Sequence, residues 1–136
     1  MVDNITPKQR SSNMSRIRSV NTRPEVAARS LLHRLGYRFR KNVKSLPGKP
    51  DIVLKKHDTV IFVHGCFWHK HTGCKRSNMP KSNSGYWELK LLGNVSRDRK
   101  HIENLKALGW KVCVVWECEI KNADKLIKKI QRVLDK

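Results

Sequence analysis

The sequence predicts a single α/β domain, a central sheet flanked by helices, on three observations. A chain of 136 residues is long enough for one real core and short for two. Two nearly continuous apolar runs, 51–54 and 59–64, lie close together, and such runs mark strands buried on both faces. Segments with a helical apolar period stand on either side, giving the order helix, three or four strands, helix, strand, helix. No repeat or low-complexity tract interrupts that order.

Residues 1–21 are polar, basic and without apolar period apart from Met14 and Ile17, and read as an arm that orders on a partner. The domain proper is expected over 22–136. Thr22-Arg23-Pro24-Glu25 has the T-x-x-E pattern of a capping box, with proline in the first turn where its missing N–H does no harm. Ala28, Leu31, Leu32 and Leu35 then keep helical spacing and Gly36 supplies the stop. Tyr37-Arg38-Phe39-Arg40 alternates like a strand, and 46–50 is a turn-rich loop. Strands are expected at 51–54 and 59–64, joined by a polar turn at 55–58. Residues 75–86 read as a surface loop. A helical pattern runs from Trp87 to Leu108, with Gly93 as the place where it could break and Gly109 as its end. Lys111 to Trp116 is a third core strand, and Asn122 caps a last helix whose apolar face is Ala123, Leu126, Ile127, Ile130, Val133 and Leu134.

Thirty Lys+Arg oppose eleven Asp+Glu, a formal charge of +19 that points to a polyanion partner, most simply nucleic acid. Residues 1–49 hold twelve of the basic residues and only two acids, Asp3 and Glu25. Charge alone identifies no function, since ribosomal proteins and chaperoned tails share it. No apolar run approaches the ~20 residues of a membrane span and the N-terminus lacks a signal-peptide core, so no membrane partner and an intracellular site are expected.

The chemistry concentrates in His64-Gly65-Cys66-Phe67-Trp68-His69-Lys70-His71-Thr72-Gly73-Cys74, three histidines, two cysteines and two large aromatics on the end of a core strand. Cys66-x4-His71-x2-Cys74 supplies three ligands from one loop and Cys118 can supply a fourth, which suits a closed, structural Cys3His zinc site. The plainer alternative makes Cys66 a small buried hydrophobe and His71 a surface residue. Cys113, among valines, belongs to the core. Pro50-Asp51 before two apolar strands has part of the outline of the PD-(D/E)xK nuclease core, in which the aspartate binds a divalent metal; a Pro-Asp pair is also a common turn.

Asp98 falls with Val95, Ile102 and Leu105 on the inward stripe of its helix, where a carboxylate is costly without a partner. His69 fits, because a carboxylate on one ring nitrogen raises the basicity of the other; a bridge to Arg97 or Lys100 is the rival. Phe67 and Trp68 are adjacent, so in an extended segment they point opposite ways and do not both enter one core. With Trp87 they are candidates for wedges that unstack bases.

The residues Arg10-Ser11-x-Asn13-Met14, Asn21-Thr22-x-x-Glu25, Leu46-Pro47-Gly48-x-Pro50-Asp51, Ile61-Phe62-x-His64-Gly65-Cys66-Phe67-Trp68-His69, Trp87, Asn94-Val95-x-Arg97-Asp98 and Gly109-Trp110-x-Val112 with Trp116-Glu117-Cys118 occur in that order. In these pieces the chain resembles the very short patch repair endonucleases, which nick T:G mismatches in bacteria. The resemblance implies a restriction-endonuclease-like fold, a PD-(D/E)xK variant with a central mixed sheet. It implies Mg2+ on Asp51 and the Val63 main-chain carbonyl, with Glu25 and His64 positioning water and His69, oriented by Asp98, as general base. It also implies structural Zn2+ on Cys66, His71, Cys74 and Cys118, and DNA wedges at Phe67, Trp68 and Trp87. The arm bearing Arg10, Asn13, Met14, Arg16 and Arg18 would lie in the minor groove. The expected partner is double-stranded DNA with a T:G mismatch, in the bacterial cytoplasm at the nucleoid. The enzyme would act as a monomer, with mismatch-repair factors as candidate partners. Its rivals are a zinc-stapled module that bends DNA without cutting, and a related nuclease with another DNA target.

Overall fold

In a computed structural model that describes residues 22–74 and 83–135, the chain forms a four-stranded mixed sheet with helices on both faces. The elements are α1 (Arg23–Arg34), β1 (Arg40–Lys41), β2 (Ile52–Leu54), β3 (Thr59–His64), α2 (Ser84–Ala107), β4 (Lys111–Trp116) and α3 (Ala123–Leu134). Strand order is β1-β2-β3-β4; β1–β2 and β2–β3 are antiparallel and β3–β4 is parallel. All six residues of β3 are buried, as a continuous apolar run with covered faces requires.

Alternation along the strands divides the core in two. Ile52, Leu54, Ile61, Val63, Cys113 and Val115 face α1 and α3, meeting Leu32, Leu126, Ile130 and Leu134. Val53, Val60 and Phe62 turn the other way onto Leu105 of α2, with Ile102 and Trp110 beside it. Cys113 is a core residue, as its neighbours predicted.

Thr22 caps α1, its hydroxyl accepting the Glu25 N–H at 3.4 Å, and Asn122 caps α3 by accepting the Lys125 N–H at 3.2 Å. Four expectations are corrected. Leu35 is not on the buried stripe of α1 but is its C-cap, 41% exposed. The strand foreseen at 37–40 shrinks to Arg40–Lys41, because Gly36 (φ +85) donates to the His33 carbonyl and Tyr37 to that of Leu32. This closing motif commits the Tyr37 amide to the helix end rather than to a ladder. The helix expected from Trp87 begins at Ser84 and runs unbroken through Gly93. One internal glycine costs ~1 kcal/mol, less than the ~1.5–3 kcal/mol gained by burying each of Leu91 and Leu105, so the helix persists. The remainder of the loop expected at 75–86, residues 75–82, lies outside the described residues, as does the basic arm 1–21 with Arg10, Asn13, Met14, Arg16 and Arg18. Ala123 is exposed in the first turn of α3, leaving the other five residues on the packed face. Among the described residues no helix is long and apolar enough to cross a membrane.

Candidate active site

The beginning of β2 and the ends of β3 and β4 meet at one edge of the sheet, and there a cleft of about 450 Å3 is lined by Glu25, Asp51, His64, His69, Asp98 and His101 among others. Asp51 directly precedes β2. Its backbone carbonyl accepts the Asn42 N–H at 3.0 Å, and its Oδ2 accepts the Val63 N–H at 2.6 Å. The second bond pins the carboxylate to the end of the most buried strand. Burial pushes the Asp51 carboxyl up to about 7, and the neighbouring Glu25 pushes the same way, while the Val63 N–H and the Arg29 guanidinium pull against them. Glu25 is only 6% exposed, and Arg29, one turn along α1, reaches its Oε2 at 4.0 Å. Two acids held this close in a partly dry cleft are a natural seat for a hard cation. In an extended strand a residue's N–H and C=O share one edge, so the Val63 carbonyl lies on the side of Asp51.

The chain turns sharply after β3. The His69 N–H returns to the Gly65 carbonyl at 3.1 Å, and a Cβ at Gly65 would lie 3.4 Å from the Trp68 ring, the near limit of comfortable contact. This turn swings His69 back over His64; the two rings stack with centroids 3.8 Å apart and 5° between planes. His69 Nδ1 lies 2.6 Å from Asp98 Oδ2, so the pairing foreseen from the inward stripe of α2 is made, and neither Arg97 nor Lys100 takes that carboxylate's place. With Nδ1–H given to the carboxylate, Nε2 carries the lone pair. His64 is 5% exposed, and its burial, reinforced by the nearby His69, pushes it down to about 3. It is therefore neutral near physiological pH.

Phe67 and Trp68 do not sit in an extended segment, contrary to expectation. They stand in the turn, which lets both rings converge on Trp87: Phe67–Trp68 are 5.1 Å apart, Phe67–Trp87 5.5 Å and Trp68–Trp87 5.9 Å, all edge-to-face. The three half-buried rings form one aromatic cluster beside the cleft, which Phe67 and Trp68 line, with the Lys90 ammonium 5.9 Å from the Trp68 ring centre.

Behind the cleft, Cys66, His71, Cys74 and Cys118 come together, one donor atom from each lying within 4.8 Å of all the others. His71 Nδ1 and Cys118 Sγ are 3.5 Å apart, near the ~3.5–3.8 Å that separates ligands around a tetrahedral zinc. His71 is thus no stray surface residue, and Cys66 is no mere core filler. Burial pushes the Cys66 thiol up to about 12, so it needs a cation beside it to stand as the thiolate. The donor set, three sulfurs and an imidazole, fits zinc.

Several residues at the site carried no assigned role in the sequence. Asn94 donates to the Trp68 carbonyl at 2.8 Å and accepts from Arg97, tying the turn to α2. Its signal was available: Asn94 is one turn before Asp98, a second polar residue on the inward stripe. Trp116 packs edge-on to His64 at 5.3 Å and stacks on His71 at 4.1 Å, forming the wall between cleft and cluster. Glu117 accepts the Cys66 N–H at 3.2 Å. Gly48 (φ +74) approaches His101 so closely that a Cβ would meet its Cβ at 2.8 Å, so only glycine lets the 46–50 loop close that side of the cleft.

An acid–histidine cleft, a histidine held by a carboxylate and a formal charge of +19 fit a hydrolase that works on a polyanion such as DNA. The comparisons specify it further. The profile of the family described as DNA mismatch endonuclease Vsr matches residues 2–76. The chain is 48% identical over 135 residues to type II nicking enzyme V.XorIIP of Xanthomonas oryzae pv. oryzae, covering 99% of this chain and 98% of that one. It is 49% identical to type II nicking enzyme V.NmeAIP of Neisseria meningitidis, over 90% and 86% of the two chains. It is 42% identical to DNA mismatch endonuclease Vsr of Escherichia coli K12, over 93% and 80%. This chain belongs to the Vsr family of DNA mismatch endonucleases.

Proposed function

We propose that this endonuclease cuts one strand of duplex DNA on the 5′ side of the thymine in a T:G mismatch, the lesion left when 5-methylcytosine deaminates, and so begins very short patch repair. The observation that carries the reading is His69, held by Asp98 at 2.6 Å, in the same cleft as the half-buried Asp51 and the buried Glu25. The names of the relatives, a mismatch endonuclease and nicking enzymes, point to the same substrate class.

The cleft is suited to Mg2+, with Asp51 and the Val63 carbonyl as ligands and Glu25 and His64 holding water around it. When bound, such an ion lowers the pKa of water and offsets charge on the phosphate. His69 Nε2 takes the proton from the attacking water, and Asp98 stabilises the imidazolium that results. Neutral His64, an acceptor or donor but not a cation, orients water without repelling the metal. Phe67, Trp68 and Trp87 enter the base stack next to the mismatch, and the arm 1–21 lies in the minor groove. Zn2+ on Cys66, His71, Cys74 and Cys118 staples the turn that carries His69, Phe67 and Trp68. The sheet with Asp51 at the start of β2 is read as a PD-(D/E)xK variant with His69 in place of the lysine. A monomer acting on nucleoid DNA in the bacterial cytoplasm, in contact with mismatch-repair factors, completes the reading.

The test is a strand-specific nicking assay with Mg2+ on T:G and matched T:A duplexes, using wild type and Asp51→Ala. A nick 5′ of the mismatched thymine, absent in the variant, is expected. Equal cutting of both duplexes would overturn the mismatch role, and tight binding without cutting would favour a DNA-bending module.

A further inference from the structure

No acidic residue stands between Glu25 and Asp51, and the last stretch of that interval is the edge of the sheet. Arg38, Arg40, Lys41 and Lys44 are all exposed. Among the described residues β1 is the terminal strand, so one of its sides has no strand neighbour there. Its other side is bonded to the start of β2: Arg40 pairs with Val53 and Lys41 with Ile52, and then the Asn42 N–H donates to the carbonyl of Asp51 itself. Cross-strand partners share a face, and Val53 shares its face with Asp51 two residues before it. Arg40 is therefore a diagonal neighbour of Asp51, with Cβ atoms roughly 7–8 Å apart in a regular ladder. Asn42, at φ +52, ends the ladder and with Lys49 lines the cleft, so the basic strip runs into the site.

We propose that β1 and the residues flanking it, through Arg38, Arg40, Lys41 and Lys44, form a track for DNA backbone phosphates flanking the scissile one, beside the part of the cleft that Asn42 and Lys49 line. The inference rests on the DNA-nicking reading and extends it to a surface. A duplex held at the cleft must pass over one of its flanks. The flank next to Asp51 carries four exposed cations on and around an edge strand, and backbone contacts of this kind position a duplex without reading its sequence. A plainer role for edge cations is to keep exposed strands from pairing between molecules, and that role predicts no effect on DNA.

The experiment is equilibrium binding of the full chain to a short fluorescent duplex with one T:G mismatch, without added Mg2+, over a range of NaCl. A variant with Arg38, Arg40, Lys41 and Lys44 all changed to Gln is compared with one in which Lys121, Lys125, Lys128 and Arg132, exposed along α3 and the turn before it, are changed to Gln. Both lose four charges, so any general field effect is matched. The β1 variant should flatten the slope of log Kd against log salt by about 2–4, at ~0.9 per lost phosphate contact, and the α3 variant by less than about 1. Equal changes in the two, or no change in the β1 variant, would overturn the track. If the fourfold β1 variant aggregates, Arg40→Gln alone decides, with a slope change of about 1 expected and none refuting. Wild-type nicking in Mg2+ is measured alongside: its failure would remove the nicking reading, whereas wild-type nicking with unaltered β1 slopes would remove only the track.

Discussion

The cleft and the cysteine cluster are built from one loop, yet they are opposite kinds of site. Residues 64 and 69 face the cleft, whereas 66, 71 and 74 face the cluster, and Trp116 stands between, touching His64 on one side and His71 on the other. In the cleft, oxygen and imidazole donors surround about 450 Å3 of space, room for a phosphate and water. In the cluster, four donor atoms lie within 4.8 Å of one another, the number that would fill the coordination of a tetrahedral ion. The contrast teaches that donor chemistry and free volume, more than sequence proximity, decide whether a metal-binding group serves reaction or stability.

The strongest way to break this contrast is Cys66→Ser. If the cluster holds zinc and staples the loop, the variant should lose its metal, melt lower by about 10 °C or more, and lose nicking as a consequence. Elemental analysis and a melting curve check this; a zinc-free wild type, or an unchanged melt, would erase the distinction. Asp51→Asn should do the converse, dropping nicking to background with zinc content and folding intact. A fall in melting temperature like that of Cys66→Ser would mean that the cleft is structural too.

Within the cleft, His69→Ala should lower kcat by about 10²–10⁴-fold, the usual worth of a positioned base. Asp98→Asn, which keeps the ring in place but no longer stabilises its charge, should cost about 10–100-fold. Single-turnover nicking rates check both, and an Asp98 effect exceeding that of His69 would show that the carboxylate has a role of its own.

The smallest effect is on stability against pH. The folded-state pKa of Asp51, about 7, lies above its ordinary value of 3.8, because burial disfavours the charged form. A raised carboxylate pKa means that its favourable contribution is present below about 3.8 and lost as pH rises through about 7. Mg2+-free wild type should therefore melt progressively lower from about pH 4 to pH 7, and the Asp51→Asn variant should show a shallower decline over that window. Parallel curves for the two proteins would mean that Asp51 is hydrated rather than buried.

Much of the fold was legible because its signals are local. The T-x-x-E cap, Gly36, the apolar runs of β2, β3 and β4 and the amphipathic stripe of α3 depend on neighbours a few residues away. The errors fell where a residue was claimed by something just beyond that range. The Tyr37 amide was taken by the end of α1, and Gly93 was outweighed by the burial of Leu91 and Leu105 on α2.

The site divides in the same way. By itself the sequence determined which residues were chemically capable: an acid before an apolar strand, a misplaced carboxylate at Asp98 and soft ligands at zinc spacing are properties of residue type and period. Only the tertiary structure decided their allegiance. The turn at Gly65 stacks His69 on His64 instead of sending it outward, converges Phe67 and Trp68 on Trp87, and lets Trp116 part the cleft residues from the Cys/His cluster. The physical reason is that a side chain's direction in a turn depends on backbone angles that no short pattern encodes, and those angles are settled by what the turn packs against, here α2 through Asn94 and Asp98.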